Sequence, residues 1–281
     1  MRKNKRRVEV EPSTITRTSN EKFTVSRFKF LKHFSQLKFS AYCGVIFQGG
    51  SMHYLEITLI GMILFYPIVD LIIEKYKSKN KTFEFLKISF IMWLPTLLLI
   101  HLFSNGQLSV ANFGFVIENS WQNILFASLL LIAIIYLLLL IRSIQSSEEL
   151  RTEIKSKFAA YKDILPVTKN EMLVFTLILS VSAGVCEELL FRAYLFTLID
   201  SHIGMVAAIL LSSAVFGLWH IYLGWQEVIR TSIMGAVFCG VFIFTGNIIL
   251  PILLHIFVDV YSGLMCYFAM RKSSSSIIQE S

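Results

Sequence analysis

The sequence predicts an all-α, polytopic bundle of transmembrane helices, and three observations carry that expectation. Of 281 residues, 55% are hydrophobic and only 16% are charged, against roughly 25% charged in soluble domains. Mean hydropathy is +0.64, and a chain so apolar in water would expose large aggregating patches. Apolar runs long enough to cross a bilayer also recur along the chain, separated by polar stretches.

Residues 1–38 hold eleven Lys and Arg against three Glu and read as a basic cytoplasmic tail, with an amphipathic surface helix around Phe28–Phe39. The basic start Met1–Arg7 is not followed directly by an apolar core, so no cleavable signal peptide is expected. Residues 39–142 read as the N-terminal membrane helices: the short stretch Phe39–Gly49, then His53–Ile73, Leu86–Phe103 and Ile124–Ile141. Residues 143–170 read as a cytoplasmic loop carrying Arg151, Lys155, Lys157, Lys162 and Lys169. In 171–270, Met172–Cys186, Ile203–Trp225 and Thr231–Val258 lack Lys, Arg, Asp and Glu. The last is too long for one span, and Gly246, Asn247 and Pro251 divide it in two. Residues 271–281 form a polar tail.

The positive-inside rule places the basic loops 74–84 and 142–169 and the C-terminus in the cytoplasm, and the Lys/Arg-free stretch 104–123 outside. The count is eight spans if Phe39–Gly49 crosses and seven if it does not. Net charge is +7; because the positive residues flank apolar runs, they fit anionic lipid head groups and not nucleic acid. Cys43, Cys186, Cys239 and Cys266 each lie in apolar sequence with no C-x-x-C pair, and are expected to be buried free thiols.

Thr168-Lys-Asn-Glu171 has the form of a capping box. It predicts a helix running to about Ile199, roughly 45 Å long and longer than the hydrocarbon core. Deep within it stand Glu187, Glu188 and Arg192. A charge at bilayer depth costs at least about 2.5–3.5 kcal/mol on insertion scales. Glu188 and Arg192, four apart, share a face and neutralise each other. Glu187 points about 100° away with no cation three or four residues off, so it is the carboxylate best placed to act as a base near neutral pH. His220 is the one ionisable group with a near-neutral proton between Ile203 and Trp225, and His255 and Asp259 form another i, i+4 pair. A lone His in an apolar helix is ordinarily an interhelical hydrogen-bonder, and a Glu–Arg pair ordinarily a structural ion pair. Three polar insertions on three late helices instead point together to one site suited to hydrolysis. Glu56, Asp70, His101 and His202 fall near span edges and read as interfacial.

Glu187-Glu188-Leu-Leu-Phe-Arg192, Phe216-Gly-Leu-Trp-His220 and His255-Ile-Phe-Val-Asp259, in this order and each on its own helix, resemble the motif set of the CAAX-protease and bacteriocin-processing family, which includes the type II CAAX prenyl endopeptidases. The resemblance covers roughly Glu171–Phe268, making 171–270 a protease-like core. Asp259 stands where Asn is common. The resemblance implies an intramembrane endopeptidase: Glu187 the base that activates water, His220 helping to hold that water, His255 and Asp259 orienting it or stabilising the oxyanion, and Glu188 and Arg192 shaping the site. Its substrate would be a small peptide or a membrane-associated protein, in bacteriocin or pheromone processing or in self-immunity. Glu187, His220 and His255 also make a candidate two-His-one-Glu zinc set. A metal-free glutamate mechanism is slightly preferred, since a neighbouring carboxylate improves a base without a metal. A non-catalytic membrane immunity or scaffold protein and a proton-coupled transporter are the competing readings.

Overall fold

The computed structural model describes residues 54–106, 108, 113–115 and 120–271. The expected tail 1–38, the stretch Phe39–Gly49, Cys43 and the tail beyond Arg271 lie outside the described residues. Those described fall within one compact unit, Val45–Ser281, and among them all regular structure is helical. In chain order the helices are α1 (Tyr54–Glu74), α2 (Lys81–Ser104), α3 (Trp121–Ser146), α4 (Glu148–Phe158), α5 (Lys169–Ile203), α6 (Met205–Leu218), α7 (Trp225–Thr245) and α8 (Ile249–Met270). Six of them (α1, α2, α3, α5, α7 and α8) are long and apolar enough to cross a membrane. The protein is a multi-pass helical membrane bundle.

Local signals fix the boundaries. Asn80, Ser120, Ser147 and Thr168 cap α2, α3, α4 and α5 by accepting from a backbone N–H within the first turn. The capping box at Thr168 is complete: its hydroxyl accepts from the Glu171 N–H at 3.3 Å, and the Glu171 carboxylate accepts from the Thr168 N–H at 3.2 Å. Gly246, at φ 63°, ends α7 in the left-handed conformation, which divides the long apolar run at the expected place.

Two elements differ from the sequence reading. The polar stretch 143–170 contains α4, whose first turn is acidic and last turn basic, in keeping with the helix dipole. The expected span Ile203–Trp225 is only the 14-residue α6, about 21 Å long. Gly204 at φ 90° and Gly224 at φ 99° bracket it with turns that a continuing helix cannot accommodate. Cys186, Cys239 and Cys266 are buried free thiols as expected.

Contacts group the connections at two ends. Lys81 donates to the carbonyls of Lys162 and Leu165 and pairs with Glu171. At that same end the Tyr161 hydroxyl donates to Glu227 at 2.9 Å and accepts from Arg230. At the other end the Ile248 N–H donates to the Gly114 carbonyl at 3.0 Å. This grouping agrees with the alternation that the charge asymmetry predicts.

Helix α5 is the most buried span. Phe85 and Trp93 of α2 pack against it, the latter donating to Ser182 at 3.1 Å. At Gly184, α5 meets α8 so closely that a Cβ would lie 2.5 Å from Ile256 Cγ1 and 3.1 Å from the Ile252 carbonyl. One turn further on in each helix stand Glu187 and His255. Gly217 plays the same part between α6 and α7, where a Cβ would sit 2.5 Å from the Val228 carbonyl. That oxygen belongs to the backbone and cannot step aside.

Gly217→Ala is therefore expected to lower the thermal midpoint of the detergent-solubilised protein, by an amount matching the roughly 1–3 kcal/mol typical of overpacking. Gly240→Ala, at an open position, is the control and should leave the midpoint unchanged or higher. Equal midpoints for the two variants would refute the close-packing account.

Candidate active site

The backbone of α5 is unusual where the site lies. Its hydrogen bonding widens to π-helical turns over Phe175–Leu179 and again over Leu189–Phe196. Such turns free carbonyls from the regular ladder and frequently mark functional positions. Side-chain hydroxyls reach two of these carbonyls across five residues: Ser180 donates to Phe175 at 2.9 Å and Thr197 to Arg192 at 3.5 Å.

Between the two widened stretches stand Glu187 and Glu188. Glu188 is fully buried, and one of its oxygens serves two donors. Arg192 Nη1 donates to Glu188 Oε1 at 2.9 Å, and His255 Nδ1 lies 2.7 Å from the same oxygen. The i, i+4 pairing expected from spacing is thus present, and α8 adds the imidazole.

Arg192 is also fully buried, and its surroundings are mostly aromatic. Its guanidinium carbon sits 4.2 Å from the Phe216 ring centroid and 5.1 Å from that of Phe238, within range of cation–π attraction. Its second nitrogen donates to the Gly235 carbonyl at 3.2 Å. The fit is tight there: a Cβ at 235 would stand 3.2 Å from Arg192 Nη2 and the same distance from the Ser213 Cα.

The other face of His255 looks to two more carboxylates. His255 Nε2 is 3.8 Å from Glu187 Oε2 and 3.9 Å from Asp259 Oδ2. Both separations exceed a direct hydrogen bond. The ring is held by Glu188 at one nitrogen and by Phe238, stacked at 4.9 Å and 15°, across its face. Glu187 Oε2 and Glu188 Oε2 have no hydrogen-bond partner among the described residues, although both atoms are buried. Buried polar groups are ordinarily paired, so these oxygens mark where a polar ligand or water would be held.

His220 lies beyond the last turn of α6, in the turn that leads to Gly224. Its Nδ1 stands 3.1 Å from the Phe216 carbonyl. Phe216 separates the two histidines, its ring 5.3 Å from His220 and 6.0 Å from His255. Five of the six residues singled out by sequence thus meet around His255 through ion-pair or hydrogen-bond distances, and His220 adjoins them across an aromatic ring.

Glu187, His220 and His255 do not stand as a zinc set in this arrangement. Among the described residues no three His, Cys, Asp or Glu side chains converge to hold a metal ion. The geometry does not fit the group.

Sequence reasoning missed Phe238 and Gly235, which carry no charge and sit in a uniformly apolar helix. Glu56, read as interfacial, stands half-buried in the first turn of α1 and accepts from the Tyr194 hydroxyl of α5 at 3.2 Å.

Removing one partner of a buried pair typically costs about 3–5 kcal/mol. Arg192→Met should therefore sharply lower the thermal midpoint, and Glu188→Gln added to it should recover much of the loss. Thermal unfolding of the single and double variants in detergent checks this; a double variant no more stable than Arg192→Met contradicts the ion-pair account.

Comparison with curated proteins and with solved structures returns no match. A family model does match: type II CAAX prenyl endopeptidase Rce1-like, over residues 169–261. That range runs from the start of α5 into α8 and takes in Glu187, Glu188, Arg192, His220, His255 and Asp259. Over this segment, about a third of the chain, the protein is similar to the type II CAAX prenyl endopeptidases.

Proposed function

We propose that the chain is an intramembrane endopeptidase that hydrolyses a peptide bond in a small peptide or a membrane-associated protein, in the processing of bacteriocin- or pheromone-like peptides or in self-immunity. The observation that supports this best is the imidazole of His255 set between the carboxylates of Glu187 and Glu188 inside the family-matched segment.

In this reading Glu187 accepts a proton from a water molecule, and the hydroxide so formed attacks the substrate carbonyl. Glu188 holds His255 by Nδ1, so the ring cannot turn, and Nε2 faces the space beside Glu187 and Asp259. The Nε2–H then donates a hydrogen bond to the carbonyl oxygen as it gains charge, and keeps its proton throughout. Asp259, carrying its proton, donates a hydrogen bond to the same oxyanion position, as an Asn there would, and His220 completes the hold on the water. Collapse of the tetrahedral intermediate breaks the C–N bond, and Glu187 returns its proton to the leaving amine. Arg192 never touches substrate; it balances Glu188 and keeps its carboxylate oriented. The separations of 3.8 and 3.9 Å at Nε2 suit a site that tightens only around substrate.

The test uses full-length protein in proteoliposomes with a set of fluorogenic peptides, farnesylated CAAX-type and unmodified apolar ones, and products read by mass spectrometry. Glu187→Gln should insert normally and cut at least about 10²-fold more slowly, the scale of a lost general base. Asp259→Asn should cut within about tenfold of wild type, because the family motif accepts Asn there, whereas Asp259→Leu should not. A folded Glu187→Gln variant that cuts at the wild-type rate, or retains the full cellular phenotype, overturns the assignment in favour of a non-catalytic immunity or scaffold role.

A further inference from the structure

The family match begins at residue 169, yet α1 touches the site. Helix α1 contains Pro67, which has no N–H to give to the carbonyl four residues back. That carbonyl belongs to Ile63. It accepts instead from the indole N–H of Trp219, at 2.9 Å and fully within the bundle. Tyr66, the residue just before Pro67, lays its ring on the same indole, with centroids 3.9 Å apart and planes 17° from parallel. Phe191 of α5 closes the indole from another side, edge-on at 4.9 Å. Trp219 is 3% exposed.

Trp219 directly precedes His220, at the point where α6 stops. The backbone there has left the helical ladder: the His220 N–H reaches only to the Gly217 carbonyl, and a turn ending at Gly224 follows. A helix would fix the direction of a side chain in its interior; a residue just past a helix end lacks that constraint. The indole clamp supplies it.

We propose that the Ile63–Pro67 turn of α1 is a positioning element of the catalytic site: the carbonyl released by Pro67, with the ring of Tyr66, fixes Trp219 and through it the imidazole of His220. Trp219, Tyr66 and Pro67 are positioning residues and touch no reacting atom. The proposal rests on the protease reading for the meaning of His220, but the geometry it asserts can be measured without any substrate. It also gives a role to one of the N-terminal helices, which the motifs leave unassigned.

Two substitutions address the same bond from opposite sides. Trp219→Phe keeps an aromatic ring against Tyr66 and removes the N–H. Pro67→Ala leaves the indole intact but returns an N–H to α1, which then competes for the Ile63 carbonyl. Alanine is a far better helix former than proline, so Pro67→Ala should not lower the thermal midpoint. A purely structural contact and a positioning contact therefore predict different things for this variant.

The readout is solid-state NMR of the full-length protein, ¹⁵N-labelled at its six histidines, in liposomes, with the His220 signals assigned by their loss in His220→Gln. Both variants should move the His220 imidazole ¹⁵N signals by more than a linewidth and leave those of His255 in place. With the farnesylated fluorogenic peptide as probe, each should lower kcat roughly tenfold, as small misplacements of a reacting group do, with KM changed less than about twofold. The double variant should be no worse than the more affected single one, because both break one interaction. Unmoved His220 signals in folded Pro67→Ala overturn the proposal, as do additive losses in the double variant. Should wild type cut no peptide while the His220 signals still move, the protease reading fails and the positioning of His220 by α1 stands.

Discussion

The Glu188–Arg192 ion pair, with no exposure on either side chain, is the constraint around which the late helices are arranged. In an apolar bundle neither charge survives alone, because water is not there to solvate it. Much of the remaining hydrogen-bonding capacity is met within reach, with Glu188 Oε2 and Arg192 Nε left over among the described residues. Phe216 and Phe238 take the guanidinium face, the Gly235 carbonyl takes one of its edges, and His255 takes the carboxylate. These partners come from α6, α7 and α8, so one polar pair on α5 ties together every helix of the site. Replacing such a pair by apolar side chains is often neutral or stabilising in other proteins; its presence here is better understood as fixing where His255 stands than as holding up the fold.

The shape of α5 serves the same end. Widened turns before and after Ser180–Glu188 change the angle at which successive side chains leave the helix. The two adjacent carboxylates leave the regular turns between these stretches and address opposite nitrogens of one ring. The close contact at Gly184 then brings that ring within reach. Backbone width, a missing Cβ and a buried charge act on the same few residues.

Much of this was legible in the sequence because it is local. The capping box at Thr168, the break at Gly246 and Asn247, and the four-residue spacing of Glu188 and Arg192 each depend on residues close together in the chain. Spacing alone also located Glu187, His255 and Asp259. What it did not disclose was contact between distant segments through residues that look ordinary. Phe238 is one of 24 phenylalanines, and nothing marks it as the one that stacks on His255. Glu56 sits near a helix end, where a carboxylate is expected to face water, and only the fold brings Tyr194 to it. The shortness of α6 was hidden as well, since Trp219, Ile221 and Leu223 continue the apolar run past the last helical turn. The glycines at 204 and 224 were visible, but a positive φ is a property of the backbone and not of the letter.

That short helix has a consequence for the surrounding lipid. Val206, Leu210 and Leu211 face outward from α6, and the acyl chains beside them meet a helix of about 21 Å. Beside the 26-residue α3 they meet one nearly twice as long. Lipid adjusts to such a mismatch by compressing where the wall is low. A bilayer that thins on the α6 flank, just before His220, would bring head groups and water nearer the buried carboxylates than a membrane of uniform thickness allows.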